Sequence, residues 1–184
     1  MAGMRGVFVV PDGLVYQSDF ISVAEERQLM GFIRGLEFHR VVMHGQAAKR
    51  VVRHFGLGYN FETRRTTEGE PMPGELSWLV QRAEQLAGLE QGQVVEALVT
   101  RYPVGATIGW HSDAEPFGLV IGVSLQAPCI MKFQRRQGSE RCVYERILNP
   151  RSVYIMRGEA RSCWQHHIPA TKQERYSITF RTLR

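Results

Sequence analysis

The sequence predicts an α+β, mainly β fold, in which a double-stranded β-helix (jelly roll) core carries an N-terminal α/β extension that supports one sheet. Three observations predict this fold. Two amphipathic helical patterns lie in the first half of the chain. From Val94 onward, short β-rich segments alternate with turn residues, and no helical pattern separates them. The last of these segments alternates strictly between polar and apolar side chains, which is the period of a strand.

The first half is predicted to contain one short strand and two helices. The strand is Leu14–Gln17, and Ser22-x-x-Glu25 is a capping box that begins the first helix. The second helix runs from about Glu75 to Ala87, and Gly88 stands where a helix C-terminus favours glycine. The apolar side chains at helical spacing are Leu29, Phe32, Ile33 and Leu36 in the first helix, and Leu76, Leu79, Val80, Ala83 and Leu86 in the second. Both helices are expected to cover one sheet of the core.

The second half is predicted to contain seven short strands. Their approximate bounds are 94–102, 107–111, 119–126, 129–134, 142–148, 152–157 and 175–183. In the last strand one face is apolar, whereas the other carries only Arg175, Ser177, Thr179 and Arg181. An edge strand with a solvated face is one interpretation of this alternation, and a polar binding face is the other.

The composition is that of an ordinary globular chain, and we expect one domain over residues 1–184. Its parts are an N-terminal extension over about 1–93 and the jelly-roll core over about 94–184. Hydrophobic residues make up 43% and charged residues 22%, which excludes a disordered, collagen-like or coiled-coil protein. The early apolar run Val7–Val10 is too short for a signal peptide or a membrane span. We therefore expect a cytoplasmic protein without a membrane partner. A monomer is also expected, although the sequence carries no signal for the oligomeric state.

The positive charge is concentrated in one stretch, from Arg40 to Arg65. The formal net charge of the whole chain is +5. The charged residues of the stretch are Arg40, Lys49, Arg50, Arg53, Glu62, Arg64 and Arg65. Their local excess equals the net charge of the chain, so the stretch is a candidate phosphate-binding surface. A solvated basic sheet edge is the alternative.

His111, Asp113 and His166 form a candidate metal site. In an extended segment, residues two apart point the same way, so His111 and Asp113 can bind one metal together. His166, near the end of the β-rich region, is the candidate third ligand. Two histidines and one carboxylate on one face of an iron leave positions open, which is the arrangement of non-haem Fe(II) oxygenases. A hydrogen-bonded turn is the structural alternative for the His-x-Asp pair.

Arg175 and Arg181 follow His166 and share one face of the last strand. Six strand steps span roughly 20 Å, so two inward-reaching guanidinium groups leave a gap that suits a five-carbon diacid. A metal with open positions needs such a co-substrate. A cupin-like hydrolase, which would use a metal-activated water, leaves the arginine pair unexplained.

These motifs together resemble the AlkB-type Fe(II)/2-oxoglutarate dioxygenases. The segments that carry the resemblance are His111-x-Asp113, His166-x-Ile168, Arg101-Tyr102-Pro103-Val104-Gly105 and Arg175-Tyr176-Ser177-Ile178-Thr179-Phe180-Arg181. The resemblance is strong over about 94–184 and extends more loosely to about residue 14. The segment Arg50-Val51-Val52-Arg53-His54-Phe55-Gly56 also resembles several AlkB homologues.

The resemblance implies which residues bind the cofactors. His111, Asp113 and His166 match the catalytic iron ligands, with His167 as the alternative to His166. The residues that match the 2-oxoglutarate site are Arg175 and Tyr102 at the distal carboxylate, Arg181 near the chelating end, and Ser177 and Thr100 where many relatives carry asparagine. Fe(II) is therefore the expected metal, and 2-oxoglutarate and O2 are the expected co-substrates.

The resemblance also implies an activity, the oxidative dealkylation of nucleic-acid bases in the repair of alkylated DNA. Expected substrates are 1-methyladenine and 3-methylcytosine in DNA, with RNA less favoured, and the products are the repaired base, succinate, CO2 and an aldehyde. The target base must be flipped out or single-stranded. The alternatives are an AlkB-like oxygenase that acts on tRNA or protein, and a non-catalytic nucleic-acid-binding jelly roll.

Five residues are candidates for contact with the nucleic acid. Glu115 matches a position at which some family members place an acid near the base, although a solvated loop acid is the alternative. Arg50 and Arg53 are candidate phosphate contacts. Tyr59 and Phe61 alternate with the basic residues, a pattern that suits base stacking. In AlkB-type proteins the region before the jelly roll forms a nucleotide-recognition lid, which favours this interpretation over aromatics that fill the core.

Overall fold

The computed structural model describes residues 7–43, 46–60 and 65–184. Its strands are β1 (Val7–Phe8), β2 (Leu14–Gln17), β3 (His39–Met43), β4 (Gln46–Asn60), β5 (Arg65–Glu68), β6 (Val94–Tyr102), β7 (Ile108–His111), β8 (Phe117–Leu125), β9 (Cys129–Gln137), β10 (Glu140–Leu148), β11 (Val153–Met156), β12 (Gln165–Ile168) and β13 (Arg175–Leu183). Its helices are α1 (Val23–Arg34), α2 (Gly74–Ala87) and α3 (Gly158–Ser162).

The described strands form two facing sheets. The larger sheet has the order β2-β11-β8-β13-β6-β4-β3, and β5 extends it by pairing with β4. The smaller sheet has the order β1-β10-β9-β12-β7. The pairs within the core are antiparallel, and only the short β1 runs parallel to its neighbour β10 among the described strands. This architecture confirms the predicted mainly β jelly roll.

The two predicted helices cover the outer face of the larger sheet. The capping box of Ser22 and Glu25 is present in full, and Gly88 ends α2 in the left-handed conformation. Ile33 of α1 and Leu79 of α2 are fully buried in one apolar cluster with Ile178 of β13. Burial of this shared apolar face stabilises the helices, which are too short to persist alone.

The last strand, β13, is a central strand. It pairs with β8 on one side and with β6 on the other, so the edge-strand interpretation of its alternation is wrong. Tyr176, Ile178 and Phe180 pack towards the helices. Arg175 and Ser177 point into the space between the sheets and are also buried. The polar face of β13 therefore lines the interior of the jelly roll, where the site lies.

The basic stretch forms strands that the sequence did not predict. β4 is 15 residues long and pairs with the core strand β6 over 51–56 and with β5 over 57–60. The change of partner occurs at Gly56, where φ is +77° and a Cβ atom would lie 2.1 Å from the Val95 carbonyl oxygen. Only glycine accepts this conformation and this close approach. The basic stretch is thus continuous with the larger sheet of the core.

Two short elements of the second half were also not predicted. α3 has five residues, and β12 has four.

No helix in the described part of the chain is long and apolar enough to cross a membrane.

Candidate active site

The pairing of β7 with β12 brings the two candidate metal histidines together. His111 and His166 are direct partners in this ladder, and their ring centroids lie 4.1 Å apart. Asp113 follows the end of β7, and its Oδ2 atom is 3.6 Å from Nε2 of His166. The structure therefore places all three sequence-predicted ligands at one point at the rim of the jelly roll.

The protonation states of the two histidines suit metal binding. Burial lowers the pKa of His166 to about 3, which outweighs the opposite effect of Asp113. Burial also lowers the pKa of His111. Nδ1 of His111 lies 2.9 Å from the Gly109 carbonyl oxygen, which can only accept, so Nδ1 carries the proton. Both rings are thus neutral at neutral pH, and Nε2 of His111 keeps its lone pair.

Asp113 is held as a carboxylate. Burial would raise its pKa, but the charge and the hydrogen bonds of Arg181, together with the two neighbouring histidines, outweigh this effect and lower the pKa below its usual range. Nη2 and Nε of Arg181 donate to Oδ1 at 2.7 and 3.0 Å. Oδ2 is buried and has no hydrogen-bond partner among the described residues. An unpaired buried carboxylate oxygen beside a neutral imidazole fits a divalent metal ion.

Among the described residues, no three histidine, cysteine, aspartate or glutamate side chains lie close enough together, as they stand, to hold a metal ion. The two histidine rings and the carboxylate are nevertheless direct neighbours. The donor set fits Fe(II), since imidazole and carboxylate are its usual ligands with open positions.

Arg175 forms a second polar centre between the sheets. Its side chain is almost fully buried, Nε donates to Oγ of Ser124 at 3.2 Å, and the guanidinium lies 4.8 Å from the ring centroid of Tyr102. Nη1 is buried and has no hydrogen-bond partner within the described chain. A buried guanidinium with an unused donor is a receptor for a carboxylate. Thr100 and Ser177 are paired opposite one another beside it and are also buried.

Glu96 and His54 belong to the site although the sequence analysis did not single them out. Nη1 of Arg181 donates to Oε2 of Glu96 at 2.7 Å, and Nδ1 of His54 is 3.1 Å from Oε1. Glu96 was detectable, because it is a lone acid in an apolar strand and lies on the same face as Thr100 and Tyr102. His54 was not, because its pairing depends on the unpredicted strand β4.

Arg161 is a further buried residue that the sequence analysis missed. Its Nη2 donates to the carbonyl oxygens of Ala114 and Phe117 at 2.7 and 2.6 Å. These hydrogen bonds fasten the loop that follows Asp113. They therefore fix the position of the carboxylate relative to the histidines.

His167 lies on the opposite face of β12 from His166. Its ring stacks on Trp110 at a centroid distance of 5.0 Å, and its Nδ1 contacts the Ile108 carbonyl oxygen. The structure thus brings His166, and not the alternative His167, next to Asp113.

The candidate substrate residues are distributed differently. Arg50 is half-buried on the site face of β4, and its charge interacts with Tyr102 and Arg181, while burial lowers its pKa. Arg53 lies on the other face and donates to both carboxylate oxygens of Glu70 at 2.6 Å.

Three further candidates have no described contact with the site. Glu115 is exposed in the loop before β8. Tyr59 belongs to β4, but its side chain lies outside the described structure, and Phe61 lies outside the described residues. A role for these three residues in substrate binding stays a prediction.

Residues 23–181 match the family model of the 2OG-Fe(II) oxygenase superfamily. The match covers most of the chain, and the chain therefore belongs to this superfamily. Proteins named as AlkB homologues are among its curated relatives and structural neighbours, and the chain is similar to them. Membership of the superfamily implies a dioxygenase with Fe(II) as its metal and 2-oxoglutarate as its co-substrate.

Two curated relatives illustrate the similarity. The Alkylated DNA repair protein ALKBH8 homolog of Arabidopsis thaliana is 29% identical over 185 residues, which cover 87% of this chain and 51% of the relative. The tRNA (carboxymethyluridine(34)-5-O)-methyltransferase ALKBH8 of Mus musculus is 27% identical over 180 residues, with 91% and 26% covered. The chain therefore spans about a quarter to a half of the length of these relatives.

Two solved structures share the fold. OsALKBH1 superimposes with a TM-score of 0.74 at 15% identity and covers 97% of this chain and 100% of its own. A Pseudomonas putida prolyl-4-hydroxylase superimposes with a TM-score of 0.66 at 14% identity, covering 94% of this chain and 92% of its own.

Proposed function

We propose that this chain removes alkyl groups oxidatively from nucleic-acid bases such as 1-methyladenine and 3-methylcytosine, and so repairs alkylated DNA. The observation that carries the proposal is the position of β4. This strand carries the basic stretch and is hydrogen-bonded directly to β6 of the catalytic sheet. As a result, the half-buried Arg50 faces the same space as Tyr102 and Arg181. A cationic group at the entrance of the site suits the phosphate of a flipped nucleotide.

His111, Asp113 and His166 would hold Fe(II), and Arg175 with Tyr102 would hold the distal carboxylate of 2-oxoglutarate. When bound, the metal and the oxo acid supply the oxidant for a C–H bond of the alkyl group. Arg181 keeps Asp113 ionised and oriented while it also neutralises Glu96. Ser177 and Thr100 would line the space between the two ends of the co-substrate.

The overall reaction balances with one O2 and one 2-oxoglutarate per alkyl group. One oxygen atom enters the alkyl carbon, and the other enters succinate as CO2 leaves. The N-hydroxymethyl base then breaks its N–C bond and releases formaldehyde, while the nitrogen keeps the electron pair. The protein has to place the alkyl carbon at the metal and exclude water.

The base is expected to enter from the loop and lid side. Glu115, two residues after Asp113, is proposed to face the cationic alkylated base or its exocyclic amino group. Arg50 is proposed to contact a phosphate. Tyr59 and Phe61 are proposed to stack on bases of the strand. Arg53, whose charge is already paired with Glu70, is proposed to act on the strand together with Arg50 through the summed charge of β4.

A tRNA substrate is the second candidate. It is favoured by the relative that is named as a tRNA (carboxymethyluridine(34)-5-O)-methyltransferase, of which this chain matches 26%. Phosphate contacts of the kind that Arg50 could make do not distinguish DNA from RNA. Hydroxylation or demethylation of a tRNA base would use the same metal and co-substrate residues.

The deciding experiment is mass spectrometry of modified nucleic acids after incubation with the protein, Fe(II), 2-oxoglutarate and ascorbate. The substrates are DNA oligonucleotides with 1-methyladenine or 3-methylcytosine and bulk tRNA. A loss of one CH2 per methylated base that disappears in Asp113→Ala supports the dealkylase. Addition of oxygen to a tRNA base, with DNA unchanged, supports the second candidate. Succinate formation without any change in nucleic acid would contradict both.

A further inference from the structure

Tyr154 of β11 crosses directly over a glycine of the neighbouring strand. In the ladder between β11 and β8, Tyr154 lies opposite Gly122. A Cβ atom at Gly122 would stand 2.2 Å from two carbon atoms of the phenol ring and 2.5 Å from its hydroxyl oxygen. Any side chain larger than hydrogen at position 122 would occupy the space of the phenol. The glycine thus allows the hydroxyl end of Tyr154 to lie on the inner face of β8.

This position is in the middle of the co-substrate space. Gly122 pairs on its other side with Thr179 of β13, which lies between Arg175 and Arg181. The phenol of Tyr154 therefore reaches across β8 towards the gap between Arg175 and Arg181.

The electrostatic surroundings of Tyr154 agree with this position. Burial raises its pKa, and the charges that act on its hydroxyl belong to Asp113, Tyr102, Arg175 and Arg181. The phenol is therefore a neutral donor at physiological pH. No hydrogen bond of this hydroxyl occurs within the described part of the chain, and the groups proposed for the two ends of the co-substrate act on it electrostatically.

We propose that Tyr154 is a co-substrate-binding residue whose hydroxyl donates a hydrogen bond to a carboxylate oxygen of 2-oxoglutarate, and whose ring forms a wall of the pocket. The proposal rests on the placement of 2-oxoglutarate between Arg175 and the metal ligands. A carboxylate accepts up to four hydrogen bonds, and a phenol is a strong neutral donor to it. The ring, which occupies the space over Gly122, limits the size of the oxo acid.

Tyr16 provides a matched comparison. It is the direct neighbour of Tyr154 on β2, and its hydroxyl is buried without a partner in the described chain. Its ring, however, stacks under Arg146 at 5.0 Å, and it is not among the groups that interact with Arg175 or Asp113. Loss of the Tyr16 hydroxyl therefore tests the effect of removing a buried phenol oxygen without touching the co-substrate.

The first test is the affinity for 2-oxoglutarate without turnover. Wild type, Tyr154→Phe and Tyr16→Phe are loaded with Fe(II) without oxygen, and 2-oxoglutarate is titrated by calorimetry and by the charge-transfer absorption of the complex. Tyr154→Phe keeps the ring and should raise the Kd about tenfold, the effect of one hydrogen bond to a charged group. Tyr16→Phe should bind like wild type. A Kd of Tyr154→Phe within about twofold of wild type would overturn the hydrogen bond.

The second test asks whether the Tyr154 ring limits the size of the oxo acid. Tyr154→Leu should lower the preference for 2-oxoglutarate over the longer 2-oxoadipate at least about fivefold, whereas Tyr154→Phe should keep that preference because its ring remains. An unchanged preference in Tyr154→Leu would show that the Tyr154 ring does not limit the size of the oxo acid. If wild type and Arg175→Ala bind 2-oxoglutarate equally well, the proposed placement of the co-substrate itself is wrong, an outcome distinct from a failure of Tyr154 alone.

Discussion

Arg181 connects the two buried acids of the site. It donates to Asp113 from two nitrogens and to Glu96 from a third. Burial alone would lower its pKa, but the two carboxylates outweigh burial and raise it. The side chain of Glu96 is 2% exposed and that of Asp113 is 5% exposed, so neither acid can exchange Arg181 for water. One guanidinium therefore links the metal ligand to the wall of the pocket.

Removal of this guanidinium should destabilise the protein strongly. We expect Arg181→Met to lower the free energy of unfolding by about 3–5 kcal/mol, since it leaves buried acids unpaired. The double variant Arg181→Met/Glu96→Gln should recover part of this loss because one of the acids is neutralised. Denaturant unfolding measures the free energy of unfolding of the single and the double variant. If the two substitutions have simply additive effects, the ion pair described here does not contribute to stability.

Arg175 should behave in the opposite way. We expect Arg175→Ala to abolish measurable 2-oxoglutarate binding while the fold remains largely intact. Its guanidinium keeps a donor, Nη1, without a partner in the described chain, which leaves it available for the distal carboxylate of the co-substrate. Calorimetric titration measures the 2-oxoglutarate affinity of the variant, and circular dichroism shows whether its fold remains intact. Normal co-substrate affinity in this variant would contradict the pocket assignment.

At the scale of elements, the long strand β4 determines how the N-terminal half meets the core. It forms three ladders, with β3, β6 and β5. Gly56 allows it to leave the catalytic sheet after pairing with β6. His54 and Arg50 therefore reach the site from the same strand that continues into the proposed lid. A substitution at Gly56 would act on the lid and on the site together.

The capping box of α1 predicts a measurable pH dependence of stability. A hydrogen bond from Arg82, together with the backbone N–H of Ser22, lowers the pKa of Glu25 from 4.5 to about 2. Because the pKa is lower in the folded state, the stabilisation is complete above pH 4.5 and is lost as the pH falls towards 2. The pair is partly exposed, which limits its contribution to about 1 kcal/mol.

The corresponding variant is Glu25→Gln. At pH 7 its free energy of unfolding should be about 1 kcal/mol lower than that of wild type. This difference in the free energy of unfolding should become smaller between pH 5 and pH 3. Urea unfolding at several pH values measures this. Glu75→Gln, at an exposed acid in the first turn of α2, is the control. A difference that does not change with pH would contradict the role of the ionised Glu25.

At the scale of the whole molecule, the charge is asymmetric. The net charge of +5 equals the excess within the stretch from Arg40 to Arg65. The described part of this stretch lies in β3, β4 and β5, at one end of the larger sheet beside the site. If the proposed nucleic-acid substrate is correct, such an asymmetric field would steer it towards this end of the sheet.

Nucleic-acid binding should therefore depend on salt through β4. We expect Arg50→Gln/Arg53→Gln to weaken binding and to reduce the slope of log K against log salt by about one or more. Arg50→Gln alone should account for most of the change, because Arg53 is already paired with Glu70. Arg27→Gln on α1, which covers the other face of the sheet, is the control. An unchanged slope in the double variant would show that β4 does not contact phosphates.

Much of the fold was predictable because it follows from local periodicity. The predicted strands 94–102 and 175–183 coincide with β6 and β13, and both helices have the predicted caps. The elements that were missed lack a local signal. β12 has four residues with two adjacent histidines, and β4 carries several basic residues among its apolar ones and is interrupted by glycines. Such strands form because their neighbours in the sheet supply hydrogen bonds, which a local pattern does not show.

The sequence by itself determined which side chains are available to the site: two histidines and an aspartate, the proposed metal ligands, and two arginines on one strand face, proposed to bind a diacid. The tertiary structure decided which side chains meet. It placed His166 rather than His167 beside Asp113, paired Arg53 with Glu70 while Arg50 faces the site, and laid a tyrosine over Gly122. The physical reason is that the backbone sets the face of each residue locally, whereas contacts across the jelly roll depend on the register of strands far apart in the chain.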